Sequence, residues 1–216
     1  MDQGYLVLKG EVEHKDLVGF CTGATPADAV DWTKTRAFAL GLGQIYINLE
    51  GRDDTGIVKP GEKRALMEEL RAGLLALENP YHREVDARDG IPARAVRSVT
   101  ILEDIWEFGA RGAPRHVPDI QIGFENGYRI SWQTALLGGM KARGDIFAKN
   151  EVAWSGDHCS TDPAVVPGIL FMNRRVPAPP ADRPYHVRDV APTVLQHFGH
   201  DLSVFEGHSR PIPHVR

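Results

Sequence analysis

The stretch PGEKRALMEELRAGLLALENP, which begins at Pro60, constrains the fold of this chain more than any other part of the sequence. Leu66, Leu70 and Leu74 recur at four-residue spacing, and most charged residues fall at other positions. This is the pattern of an amphipathic α-helix with one apolar face. The proline at the start and the Asn-Pro pair at the end match the usual boundaries of a helix. The sequence therefore predicts a helix here.

Short apolar segments on both sides of this helix predict β-strands. QIYINLE, residues 44–50, places Ile45, Ile47 and Leu49 on one face, with the period of a half-buried strand. SVTILEDIW predicts a strand that runs into a short turn or helix. PDIQIGFENGYRISW predicts a hairpin, because the Asn-Gly pair at Asn126 tolerates the positive φ values of a type I′ turn.

The end of the chain predicts one more strand and one more helix. GILFMN, residues 168–173, has the composition of a short buried strand, and VPAPPADRP after it predicts a surface loop. RDVAPTVLQHFG predicts a helix with Asp189 as its N-cap and Gly199 as its stop. Strands that alternate with two helices predict an α/β fold, in a single domain over residues 1–216.

The composition excludes several classes of function. The 25 Lys and Arg residues against 29 Asp and Glu residues give a net charge of -4 without long charged runs, so we expect no nucleic-acid partner. No window approaches the roughly 18 apolar residues of a membrane span, and the start of the chain does not resemble a signal peptide. Cys21 and Cys159 are too few for a disulfide framework. We therefore expect a cytoplasmic protein with reduced thiols and no membrane partner.

The segment AWSGDHCSTDP sets an acid, an imidazole and a thiol side by side at Asp157, His158 and Cys159. Imidazole is a common ligand of zinc and related metals, and Asp157 could ligate the metal or orient the imidazole. A catalytic zinc needs about three protein ligands, and the spacing supplies one convincing ligand. From the residues alone two interpretations stay open: a metal ligand, and a loop histidine paired with Asp157. Cys159 is interpreted as a buried, unreactive thiol.

Other polar residues could have a functional role, but each also has a purely structural interpretation. WTKTRAF offers Lys34 and Arg36, which could contact a phosphate or other anion, although a solvated lysine and a structural arginine are commoner outcomes. Two H-x-x-D spacings are interpreted as coincidence: His116 with Asp119, and His186 with Asp189.

Four segments connect these observations, namely DWTKTRAFALGLGQIYINLEGRDDTGIVKPGE, PDIQIGFENGYRISWQT, WSGDHCSTDPAVVPGILFMNR and RDVAPTVLQHFG. Taken together and in this order, they resemble the C-terminal portion of the alkaline-phosphatase superfamily, most closely its type I phosphodiesterase/nucleotide pyrophosphatase branch. The last segment is shared with the sulfatases and phosphoglycerate mutases of the superfamily. The resemblance implies a three-layer α/β/α fold with a mixed sheet, and a cap-like subdomain over approximately residues 60–135.

The resemblance also implies a hydrolase of small phosphate esters with two divalent metals, usually zinc, and a Thr or Ser nucleophile. His158 would ligate one metal, and Asp157 would orient the imidazole of His158. In that family the nucleophile and the other ligands precede a segment like GYLVLK, which begins here at Gly4. We therefore expect them upstream of Met1, and we expect this chain to be an incomplete domain that is inactive alone.

An incomplete domain would expose an apolar face, through which the chain would pair with an N-terminal half or with itself. Two other interpretations stay open. One is a non-catalytic binding or assembly module derived from the same fold, and the other is a phosphoglycerate mutase or sulfatase relative.

Overall fold

The computed structural model describes residues 4–9, 30–106, 117–130, 146–147, 160–203, 205 and 209–213. The chain divides into two compact units, residues 1–166 and residues 167–216.

The first unit is built around an antiparallel sheet. Its described residues form β1 (Ala37–Leu40), β2 (Gln44–Ile47), α1 (Pro60–Leu75), α2 (Glu84–Arg88), β3 (Val96–Ile101), a 3₁₀ turn (Leu102–Asp104) and β4 (Ile120–Phe124). These strands lie in the order β1, β2, β4, β3, and every neighbouring pair is antiparallel. A sheet combined with helices confirms the predicted α/β class. The resemblance implies a mixed sheet, which has both parallel and antiparallel strand pairs. Among the described strands no pair is parallel.

The core lies between α1 and the sheet. Leu66 and Met67 of α1 belong to one buried cluster with Ile47, Ile101 and Ile120, which come from β2, β3 and β4. Burying a side chain of this size contributes about 1.5–3 kcal/mol relative to leaving it exposed. The predicted helix and its apolar face are confirmed, and so is the predicted strand at SVTILEDIW with the short turn after it.

β2 has the alternation that its sequence predicts. Ile45 and Ile47 are buried, whereas Tyr46 between them is half-buried. Asn48 follows the strand and is buried too, and its side-chain amide ties the neighbouring loops to the sheet. The Nδ2 group donates hydrogen bonds of 2.9–3.0 Å to the carbonyls of Trp32, Thr35 and Thr55.

The hairpin predicted at Asn126 is wrong. The turn itself forms, with Gly127 at a φ of 84°, but residues 128–130 are not part of a strand. β3 pairs along one edge of β4, whereas β2 pairs along the other only at Ile120 and Gln121. Beyond these residues, the carbonyls of Ile122 and Phe124 accept hydrogen bonds from Thr161 and Ser160 instead of from the residues that follow the turn.

The second unit contains a 3₁₀ turn (Val187–Asp189), which continues directly into the helix α3 (Val190–His197). Asp189 is the N-cap of α3, and Gly199 lies just beyond its end at a φ of 75°, so the predicted helix is confirmed with both boundaries. The buried strand predicted over residues 168–173 is wrong, because these residues pair with no strand in the described part of the chain. Phe171 there is 89 % exposed.

None of the described helices is long and apolar enough to cross a bilayer.

Candidate functional site

The segment that carries the predicted chemistry lies only partly within the described residues. Asp157, His158 and Cys159 are outside them, and the described chain resumes at Ser160. The roles predicted for His158 and Asp157 therefore stay predictions. Residues 160–164, which come directly after them in sequence, are described.

Ser160 and Thr161 fasten this segment to β4. The Ser160 hydroxyl donates a hydrogen bond of 2.7 Å to the carbonyl of Phe124, and the Thr161 hydroxyl donates one of 3.0 Å to the carbonyl of Ile122. Both carbonyls belong to β4, two residues apart on the same strand. The end of the AWSGDHCSTDP segment is therefore held along a strand of the central sheet.

Asp162 fastens the same segment to β3. Its buried carboxylate accepts a hydrogen bond of 2.6 Å from the hydroxyl of Ser98, and one of 2.8 Å from the backbone N–H of Ala164. The guanidinium of Arg97 lies 3.5 Å away. The Ser98 hydrogen bond is the main reason why the pKa of Asp162 lies below its ordinary value. Asp162 is thus ionised at neutral pH and its oxygens are engaged by these groups.

Gly123 of β4 makes room for this contact. A Cβ atom at that position would lie 2.4 Å from the Ser98 hydroxyl oxygen and 2.8 Å from the Cβ of Asp162. Both distances are shorter than real contacts, so a side chain there would push Ser98 and Asp162 apart. Glycine in a strand often marks such a close approach of another segment.

A shallow cavity of about 180 Å³ lies beside the fastened segment. Its lining is uncharged: Leu42, Gln44, Gln121, Ile122, Phe124, Ser160 and Thr161. The side-chain amide of Gln121 donates toward the carbonyl of Gly43 at 3.2 Å, and the two hydroxyls are already engaged with β4. Among the described residues, the cavity lining therefore presents neutral hydrogen-bonding groups and no charged group.

Lys34 and Arg36, the residues predicted to contact an anion, are each next to a carboxylate. The Lys34 ammonium lies 2.8 Å from a carboxylate oxygen of Asp31, and this contact raises the pKa of Lys34. Arg36 lies 3.8 Å from Glu69 and stacks over the ring of Tyr5. The two cations thus serve separate local ion pairs on the surface, and an anion would compete with Asp31 and Glu69 for them.

A buried cluster of charges around Asp119 was missed by the sequence interpretation, which treated the H-x-x-D spacing there as coincidence. The carboxylate of Asp119 lies 2.9 Å from the guanidinium of Arg52 and 3.0 Å from the ammonium of Lys63. It also accepts the backbone N–H of Ile47 at 2.7 Å. Burial alone would lower the pKa of Lys63, but its hydrogen bonds to Asp119 and Glu103 outweigh burial and raise it.

This cluster joins three elements of the first unit. Asp119 precedes β4, Lys63 lies in the first turn of α1, and Arg52 lies in the loop after β2, where it also contacts Asp53. The available signal was an acidic residue placed directly before the apolar run IQIGF, where a buried strand is expected to begin. His116, the other member of the H-x-x-D spacing, lies outside the described residues.

The H-x-x-D spacing at His186 has a local structural role. The carboxylate of Asp189 accepts the backbone N–H of His186 at 3.0 Å, while the imidazole Nδ1 accepts the backbone N–H of Arg188 at 3.3 Å. The pair therefore closes the 3₁₀ turn before α3. Asp189 occupies the predicted N-cap position of α3, but its carboxylate makes no capping hydrogen bond to that helix, because it accepts the N–H of His186 instead.

The described residues contain no group of three or more His, Cys, Asp or Glu side chains placed to hold a metal ion. The most buried carboxylates accept hydrogen bonds from N–H and O–H groups: Asp119, Asp162 and Asp189. The described part of the chain thus supplies no ligand set for the two metals that the resemblance implies.

The chain was compared with known proteins by sequence and by structure. Neither a protein-family model, nor a curated protein, nor a solved structure matches it.

Proposed function

We propose that this chain is the C-terminal portion of a metal-dependent phosphodiesterase or phosphatase of the alkaline-phosphatase superfamily. His158 is its one metal ligand, and Asp157 orients the imidazole. The described sheet would then be part of a larger three-layer α/β/α domain. The substrate class is a small phosphate ester.

One structural observation supports this proposal beyond the resemblance. The residues that directly follow His158 are fastened to two strands of the sheet by Ser160, Thr161 and Asp162. Metal ligands must be held within a few tenths of an ångström of their productive positions, and such precision is obtained when a ligand segment is anchored on rigid elements.

The proposal assigns the catalytic steps to groups other than the described residues. Two bound cations would stabilise the attacking and leaving oxygens of a displacement at phosphorus. The most buried described carboxylates, those of Asp119, Asp162 and Asp189, do not fit as ligands, because their oxygens are engaged by protein donors. This chain would contribute one imidazole and the sheet that positions it.

The 216-residue chain is expected to bind zinc weakly and to show no hydrolysis of a chromogenic phosphodiester above the metal-only background. One imidazole with water and a neighbouring carboxylate falls short of the roughly three protein ligands of a catalytic zinc site. Zinc titration followed by the histidine ring signals in NMR should identify His158, and His158→Ala should remove the response.

His200→Ala is the matched control, because His200 is an exposed histidine outside the proposed site. It should leave the zinc response of His158 unchanged. Robust turnover that disappears in His158→Ala would contradict the expectation that the catalytic groups lie elsewhere. An unchanged zinc response in His158→Ala would contradict the proposed ligand.

A second candidate function is a non-catalytic assembly module, and the exposed apolar residues of the second unit favour it. Ile169 and Phe171 are 79 % and 89 % exposed, and Leu170 between them is 42 % exposed. Three consecutive apolar residues on the surface are a typical feature of contact with another chain. In this interpretation the contact is a second copy of the same chain.

Ile169→Ser combined with Phe171→Ser is expected to convert a self-associating chain into a monomer, because the substitution removes the apolar surface that association would bury. Analytical ultracentrifugation over a concentration series measures this. Val187→Ser, which changes another exposed apolar residue of the unit, should leave association unchanged. A wild-type chain that stays monomeric and binds no hydrophobic dye would argue against the assembly module.

A further inference from the structure

The segment RRVPAPP, from Arg174 to Pro180, is not used by the candidate site or by the proposed function. Its residues follow the spacing R-x-x-P-x-x-P, with Arg174, Pro177 and Pro180 three residues apart. Polyproline II has three residues per turn. In that conformation these three side chains lie along one edge of the segment.

The segment is on the surface and takes part in no helix or strand. The four residues from Pro177 to Pro180 are all exposed. Three of them are prolines, which have no N–H to donate to a sheet and which restrict the backbone to a narrow range of φ. Such a segment loses little conformational entropy when a partner binds it.

Two hydrogen bonds hold the proline run within the second unit. The hydroxyl of Tyr185 donates to the carbonyl of Pro177 at 2.9 Å, and the backbone N–H of Arg183 donates to the carbonyl of Pro180 at 3.0 Å. The contacts use backbone carbonyls, so the proline rings remain on the surface. The run is therefore presented without local unfolding.

The charge next to the prolines is positive. Across the described residues, no carboxylate lies within ion-pair distance of Arg174 or Arg175, whereas Arg183 in the same unit pairs with Asp189. An acidic side chain on a partner could therefore bind Arg174 without displacing any carboxylate of the described residues. Charge complementarity of this kind contributes to partner choice.

We propose that Arg174–Pro180 is a docking segment for a partner domain of the SH3 type, which has an aromatic-lined groove with acidic residues at one end. Pro177 and Pro180 insert into the aromatic groove, and Arg174 pairs with the acidic residues one turn earlier. The arginine on the same edge as the prolines favours this class over other proline-binding domains. The docking segment is independent of the proposed hydrolase function.

The test is a titration of a ¹⁵N-labelled SH3 domain, one whose groove takes R-x-x-P-x-x-P peptides, with the full chain. Saturable shifts of the groove aromatic residues are expected. Pro177→Ala with Pro180→Ala should weaken binding at least about tenfold, and Arg174→Glu should do the same, because a few central residues contribute most of the affinity of an interface.

Pro184→Ala is the matched control, since Pro184 is an exposed proline outside the motif. It should bind as the wild-type chain does. The proposal would be overturned if the wild-type chain caused no shifts, or if a WW domain bound it more tightly than the SH3 domain. Equal weakening by Pro184→Ala would also overturn it. The proposal would likewise be overturned if a synthetic peptide of residues 174–180 bound the SH3 domain and the folded chain did not.

Discussion

Asp119→Ala is expected to lower the free energy of unfolding of the first unit by about 3–5 kcal/mol, since removing one partner of a buried ion pair leaves uncompensated charge in the interior. In the folded protein the Asp119 carboxylate balances Arg52 and Lys63 and accepts the N–H of Ile47. The side chain of Asp119 is 3 % exposed. Water therefore has little access to replace the lost carboxylate.

Urea-induced unfolding of the full chain, followed by circular dichroism, measures this loss. Hydrogen exchange of the Ile47 amide gives a local readout, because that N–H donates directly to the Asp119 carboxylate. Asp104→Ala is the control: Asp104 pairs with Arg64 on the surface, and exposed pairs contribute about 0–1 kcal/mol. A loss at Asp119 no larger than at Asp104 would show that the buried cluster contributes little to stability.

The elements that could be predicted from sequence are those whose pattern is local. The four-residue spacing of the leucines after Pro60 predicted α1, and the alternation of Ile45 and Ile47 predicted β2. Asp189 and Gly199 predicted both boundaries of α3. In each case the backbone conformation and the buried face depend on residues a few positions apart.

The predictions that failed depend on distant partners. The Asn-Gly turn after Phe124 is present, but whether its two arms pair depends on which strands lie beside β4, and those strands come from distant parts of the chain. The apolar residues 168–173 have strand-like composition, yet a strand forms only where a neighbour offers its hydrogen-bonding edge. Local sequence does not contain that information.

The candidate site shows the same division. The segment around His158 was recognised by its residue types, but its attachment to the sheet depends on Ser98, which lies 64 positions from Asp162 in sequence. Gly123 allows that contact only by lacking a side chain. Neither residue has a chemical signature of its own, so the sequence could predict the reactive group and could not predict what holds it.

Asp189→Ala is expected to destabilise the second unit by about 3 kcal/mol, because a fully buried carboxylate with charged and backbone donors would be lost. Asp189 accepts hydrogen bonds from the guanidinium of Arg183 at 2.9 Å and from the backbone N–H of Arg210 at 3.1 Å. Its own carbonyl accepts the hydroxyl of Thr193, which in turn accepts the N–H of Ile212 at 2.8 Å. These contacts fasten residues 209–213 to the start of α3.

Hydrogen exchange of the Arg210 amide, compared between the wild-type chain and Asp189→Ala, measures this effect within the second unit. Asp201→Ala is the control, since Asp201 is exposed and the hydrogen bonds of its side chain in the described structure are to its neighbours Leu202 and Ser203. Its substitution should leave Arg210 exchange nearly unchanged. Equal exchange of Arg210 in all three proteins would contradict the role of Asp189.

The same carboxylate should make the stability of the second unit depend on pH in a defined direction. Burial alone would raise the pKa of Asp189, but the N–H groups of Arg210 and His186 and the charge of Arg183 outweigh it, so the pKa lies below its ordinary value of 3.8. The folded unit therefore holds its ionised form more strongly than the unfolded chain does. The stabilisation is fully present above pH 3.8 and is lost as the pH falls through the lowered value. The difference in unfolding free energy between wild type and Asp189→Ala should accordingly shrink in acid, and a difference that stayed constant or grew would mean that ionised Asp189 does not fasten the end of the chain.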